Sequence, residues 1–68
     1  MTEKVARAKA QDLSSRYKNI VIAVVITAFT KNTGRNKCEI ATQDELLKWP
    51  RPYVPVAQYK NGAEWQEN

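Results

Sequence analysis

Residues 20–29 read Ile-Val-Ile-Ala-Val-Val-Ile-Thr-Ala-Phe, and Arg16, Lys18, Lys31, Arg35 and Lys37 bracket them. As a helix this run would rise about 15 Å, half of the roughly 30 Å hydrocarbon core of a bilayer. As a strand it is long and apolar on both faces, so it has to be covered twice. Its β-branched residues lose side-chain freedom in a helix and pack well on a pleated surface, which favours the strand. The run therefore predicts a compact soluble domain, or a tight dimer, built around one buried strand.

The flanking segments supply the covers. Residues 2–18 have helical character. Thr2 is a candidate N-cap, Glu3 suits the positive end of the helix dipole, and Arg16 and Lys18 suit the negative end. Ala6, Ala10, Leu13 and Tyr17 recur at helical spacing as an apolar stripe, and Lys4, Arg7, Gln11, Ser14 and Lys18 form a polar, basic stripe read as roughly opposite. Asn19 is a plausible stop. Residues 30–36 carry turn chemistry in Asn32, Gly34 and Asn36. Residues 37–41 alternate polar and apolar, so Cys38 and Ile40 point the same way in a returning strand of a hairpin.

Thr42-Gln43-Asp44-Glu45 is a capping-box pattern, and Pro50 ends the short helix that it starts. Pro50, Pro52 and Pro55 extend the following chain, and residues 54–59 fit an edge strand because Pro55 cannot sit in a central ladder. Asn61-Gly62 is the signature of a type I′ turn, leading to a last strand at residues 64–66 before a frayed end. The order is α-β-β-α-β-β. It predicts one small α+β domain over residues 1–68, with an N-terminal amphipathic helix packed on an antiparallel sheet. The competing arrangement extends the first helix to residue 29, because Val21, Val24 and Ala28 prolong the apolar stripe.

A chain of 68 residues is near the lower limit for an independent core. Such a core supplies only about 3–5 kcal/mol, which makes a homodimer a natural supplement. Cys38 is the only cysteine and there is no histidine, so neither an internal disulfide nor a usual zinc ligand set is expected. No cofactor is expected, and this cysteine usage suits a reducing, cytoplasmic compartment. The basic segment before residue 20 is long and mixed in charge for a signal peptide, and no A-x-A-like site follows the apolar run.

Charge is unevenly spread. Residues 1–37 hold eight Lys and Arg against Glu3 and Asp12, a net +6, whereas residues 38–68 are net −2. A basic half attracts polyanions. The leading expectation is a non-enzymatic protein that binds DNA or RNA through Lys4, Arg7 and Lys18 on the helix and Lys31, Arg35 and Lys37 at the hairpin. Trp49, Tyr53, Tyr59 and Trp65, interleaved with Lys48, Arg51 and Lys60, are candidates for base stacking, although large aromatics in a small chain commonly fill its core.

The alternative is a protein-interaction module, an inhibitor or accessory subunit docking on a larger acidic protein through Arg51, Tyr53 and Tyr59 on a proline-stiffened strip. A third reading is a membrane-associated subunit using residues 20–29. The sequence offers no general base, glycine-rich phosphate loop or nucleophile–base pair, so no catalytic residue is assigned.

Overall fold

A computed structural model describes residues 1–30 and 35–66, with the side chains of Phe29, Thr30, Arg35 and Asn36 outside that description. The elements are α1 (Glu3–Arg16), β1 (Ile22–Thr30), β2 (Arg35–Thr42), α2 (Gln43–Leu47), β3 (Val54–Lys60) and β4 (Ala63–Glu64). This is the expected α+β order, with the helix packed on a four-stranded antiparallel sheet. Lys31 and the hairpin turn around Asn32 and Gly34 lie outside the described residues, as does the expected fraying of Glu67 and Asn68.

The first helix does not run on into the apolar segment. Thr2 caps its start, its hydroxyl accepting from the Val5 N–H at 3.3 Å. Tyr17 follows its last residue, and Asn19 then takes a positive φ of 68°, a conformation asparagine tolerates and one that turns the chain away. The apolar residues continue as β1, which lies inside the sheet order β2-β1-β3-β4. Val24 and Val25 are consecutive, so they point to opposite faces, and both are 0% exposed. The strand is covered twice, as its composition required.

On one face, Ile22 and Val24 join Cys38 and Tyr59 beneath Ala6 and Ala10 of α1, with Leu13, Ile26 and Ile40 packed at the margin. The helix buries a stripe of small residues, Ala6, Ala10 and Ser14, which lets it approach the sheet closely. Tyr17, expected to extend that stripe, lies beyond the helix and is exposed.

The other face buries Ala23, Val25 and Ala41. Here topology matters. β2 and β3 are each antiparallel to β1, so they run parallel to each other and the link between them has to cross β1. That link starts with α2, whose capping box is complete: the Thr42 hydroxyl accepts from the Glu45 N–H at 3.2 Å, and the Glu45 carboxylate accepts from the Thr42 N–H at 3.3 Å. It continues through residues 48–53.

Two bulges shape the sheet. Thr27 is the extra residue of β1 opposite β2, and Val56 is the extra residue of β3 opposite β1. β3 is not the outermost strand, as β4 lies outside it, but β4 pairs only with Tyr59 and Lys60. Pro55 therefore sits where the outer side of β3 is open among the described residues, a place that tolerates a missing N–H. At the opposite edge, the Met1 carbonyl accepts from the Cys38 N–H at 2.9 Å, covering part of β2.

Candidate functional site

The basic stripe of α1 is built into the fold more than the sequence suggested. At about 100° per residue, Lys4, Arg7, Gln11 and Ser14 lie about 110° round the helix from the apolar stripe, which makes them a flank and not the opposite face, and Lys18 lies beyond the end of the helix at Arg16. That flank meets the β3–β4 turn. Asn61 and Gly62 both have positive φ, 54° and 84°, as a type I′ turn requires. Gln11 Nε2 donates to the Gly62 carbonyl and Ser14 Oγ accepts from the Gly62 N–H, both at 3.0 Å. Asn61 Oδ1 accepts from the Asn19 N–H at 2.9 Å.

Arg7 belongs to the same contact. Its Nη1 donates to the Tyr59 hydroxyl at 3.5 Å, and its guanidinium pairs with Glu3 at 3.4 Å and Glu64 at 3.8 Å. The hydrogen bond with Tyr59 pushes the Arg7 pKa up further than desolvation lowers it, and the charges of Glu3 and Glu64 add to the rise. Arg7 is thus a cation with three protein partners. Lys4 and Lys18 remain exposed.

Lys37 stands elsewhere. Lys37 and Glu39 alternate with Cys38, which is buried under α1, so their side chains point to the far face of the sheet. The structure therefore does not bring Lys37 onto one surface with Lys4 and Arg7. Arg35 is in β2, but its side chain and the whole of Lys31 lie outside the described residues.

What the far face does bring together is Lys37, Trp49 and Arg51. They line a cleft of about 290 Å³ with Thr27, Ala28, Glu39 and Pro50. Lys37 and Arg51 are exposed, and Trp49 and Glu39 are half-buried. The cleft exists because the β2–β3 link crosses here as an extended, proline-stiffened segment instead of a long helix. A second cleft shares Thr27 and Ala28 with it and is lined by Tyr53, Pro52, Val54 and Ile26. No family model matches the chain, nor does any curated protein or solved structure.

The remaining aromatics divide. Tyr59, expected alongside Tyr53 and Arg51 as a docking residue, is 7% exposed and belongs to the core under α1. It is therefore removed from that surface: its ring is apolar filling and its hydroxyl serves Arg7. Tyr53 and Arg51 are exposed, on the crossing link. Trp65 is half-buried, and Lys60 Nζ sits 5.6 Å from its ring centroid, a cation–π distance. Cys38 is a fully buried free thiol, in keeping with a core role.

No helix among the described residues is long and apolar enough to cross a membrane, and most of the 20–29 run forms β1. The grouping of Lys37 with Trp49 and Arg51 was missed from sequence. Its signal was the aromatic–cation interleaving at residues 48–53, but joining it to Lys37 needed the path of the crossing link.

Proposed function

We propose that this chain is a non-enzymatic nucleic-acid-binding protein that contacts its ligand through the far face of the sheet. Lys37 and Arg51 supply the phosphate contacts there. The observation that carries this reading is the shared cleft that two exposed cations and a tryptophan line together. Flexible and forked cations contact phosphate oxygens, and an adjacent aromatic supplies a surface for the bases. The +4 net charge of the chain adds long-range attraction for a polyanion. Exposed Lys4 and Lys18 contribute to that general field, and Arg7 contributes little because its partners neutralise it.

A salt series on a mixed-sequence oligonucleotide tests this. Neutralising Lys37 and Arg51 together, by Lys37→Gln and Arg51→Gln, removes two phosphate contacts and lowers the slope of log affinity against log salt by about two units. The pair Lys4→Gln and Lys18→Gln produces a smaller change. An unaltered slope in the Lys37/Arg51 variant refutes the assignment of the contact surface. Absence of binding to DNA and RNA even at low salt refutes nucleic-acid binding, and the protein-docking alternative, reduced to Arg51 and Tyr53, takes its place.

A further inference from the structure

We infer that the ligand of the far-face cleft is an unpaired strand, with one base stacked on Trp49 and the backbone held by Lys37 and Arg51. This inference rests on the nucleic-acid reading above and specifies the form of the ligand. A duplex offers its phosphates and base edges, while its base faces are already stacked on one another. A tryptophan lining a recessed cleft at a sheet face has no use for a base edge. It can stack only on a base that has left its helix.

The charge of the cleft points the same way. Lys37 and Arg51 are joined there by Glu39, so the cleft is net +1. Duplex-binding surfaces gain most of their affinity from many phosphate contacts, and two cations opposed by a carboxylate are a poor match for that. They match a short stretch of single strand, in which stacking contributes about 1–3 kcal/mol per base. Glu39 also gains a role in this arrangement. A carboxylate repels phosphate but accepts from an exocyclic amino group such as that of cytosine, so a base on Trp49 within reach of Glu39 is bound by its face and its edge together.

The choice of Trp49 over Trp65 follows from the environment of each ring. Trp65 already carries the Lys60 ammonium at 5.6 Å. Trp49 lines the cleft beside Lys37 and Arg51, and the prolines at 50 and 52 restrict the backbone on both sides of Arg51. A pre-set link loses less conformational freedom on binding than a flexible one. Tyr53 lies in the adjoining cleft, which shares Thr27 and Ala28 with the first, and supplies a second aromatic for the neighbouring base.

The test uses the full chain carrying Trp65→Phe, so that emission reports on Trp49 alone. The probes are a mixed-sequence single-stranded DNA oligonucleotide, the same sequence as RNA, its DNA duplex, and inorganic polyphosphate. The expected result is quenching of Trp49 by the single strands, at least about tenfold tighter binding of them than of the duplex, and a loss of about 5- to 150-fold in Trp49→Leu. Trp49→Phe, which keeps a ring, retains most of the affinity and serves if the leucine variant does not fold. Equal affinity for duplex and single strand, with Trp49 emission unchanged, overturns the unpaired-strand inference and leaves nucleic-acid binding standing. Polyphosphate bound as tightly as the oligonucleotides also overturns it, since bases then add nothing. No binding to any probe overturns both.

Discussion

Ser14 and Ser15 are neighbours on one helix, and each hydroxyl donates to the carbonyl three residues earlier, at 2.9 Å and 2.7 Å. Only Ser14 does something more. It is fully buried and accepts from the Gly62 N–H at 3.0 Å. Replacing it with alanine leaves that N–H without its partner against the helix, which costs about 1–3 kcal/mol, less a few tenths gained from the helix propensity of alanine. The loss is large for this helix. Two buried alanine methyls contribute about 0.8 kcal/mol each, so the polar contact with the turn is comparable to much of the apolar burial beneath α1. A loss of about 2 kcal/mol corresponds to a fall in Tm of about 8–16 °C for a domain of this size. Ser15→Ala, at an exposed site, stays within about 0.5 kcal/mol of the parent. Thermal unfolding followed by circular dichroism compares the two variants directly. Equal Tm values for Ser14→Ala and Ser15→Ala would refute the claim that the turn is held by the Ser14 hydroxyl.

The same contact predicts the outcome at Gly62. Its φ of +84° disfavours any side chain, and an added Cβ would sit 3.1 Å from the Ser15 Cβ, so Gly62→Ala lowers stability by about 1–2 kcal/mol in denaturant melts. Cys38 is 0% exposed, so a thiol reagent modifies it slowly in the native protein and rapidly in denaturant; fast native-state labelling would show that β2 opens readily. Tyr59→Phe removes the hydroxyl that Arg7 reaches at 3.5 Å but keeps the buried ring, so oligonucleotide affinity is unchanged and stability falls by no more than about 1 kcal/mol. A drop in affinity there would place the ligand on the helix flank.

Much of the fold was legible because local signals agreed. The Thr42–Glu45 capping box, the Asn61-Gly62 turn and the alternation that sends Cys38 and Ile40 to one side each have a short-range cause, and each appears in the structure. The doubly apolar run required two covers and has them. The role of the polar helix stripe was not legible, because periodicity says which residues share a line but not which neighbour that line meets. Lys4 and Lys18 look alike in sequence to Arg7, yet only Arg7 comes within reach of Glu64 and Tyr59, residues more than fifty positions away. Tyr59 was equally ambiguous, since an aromatic after a proline-rich strip can be core or surface until the sheet order is known. The far-face cleft depended on the crossing of β1, a consequence of strand order that no local pattern encodes.

That strand order also explains why the candidate site lies where it does. A sheet arranged β2-β1-β3-β4 with β1 at its heart needs cover on both faces, and among the described residues α1 is the only helix of useful length. The helix takes the face that holds Tyr59 and Cys38, and Arg7, Gln11 and Ser14 of its polar flank hold the β3–β4 hairpin. The other face is left to a five-residue helix and an extended link. The backbone of such a link is restricted by proline, and its side chains are not packed from above. Trp49 is left half-buried and Arg51 exposed on this link, where a fully helical cover would have buried more of both. The proposed binding face is the one that this folding solution leaves thinly covered, and for that reason substitutions at Lys37 and Arg51 should change affinity while leaving the core beneath α1 intact.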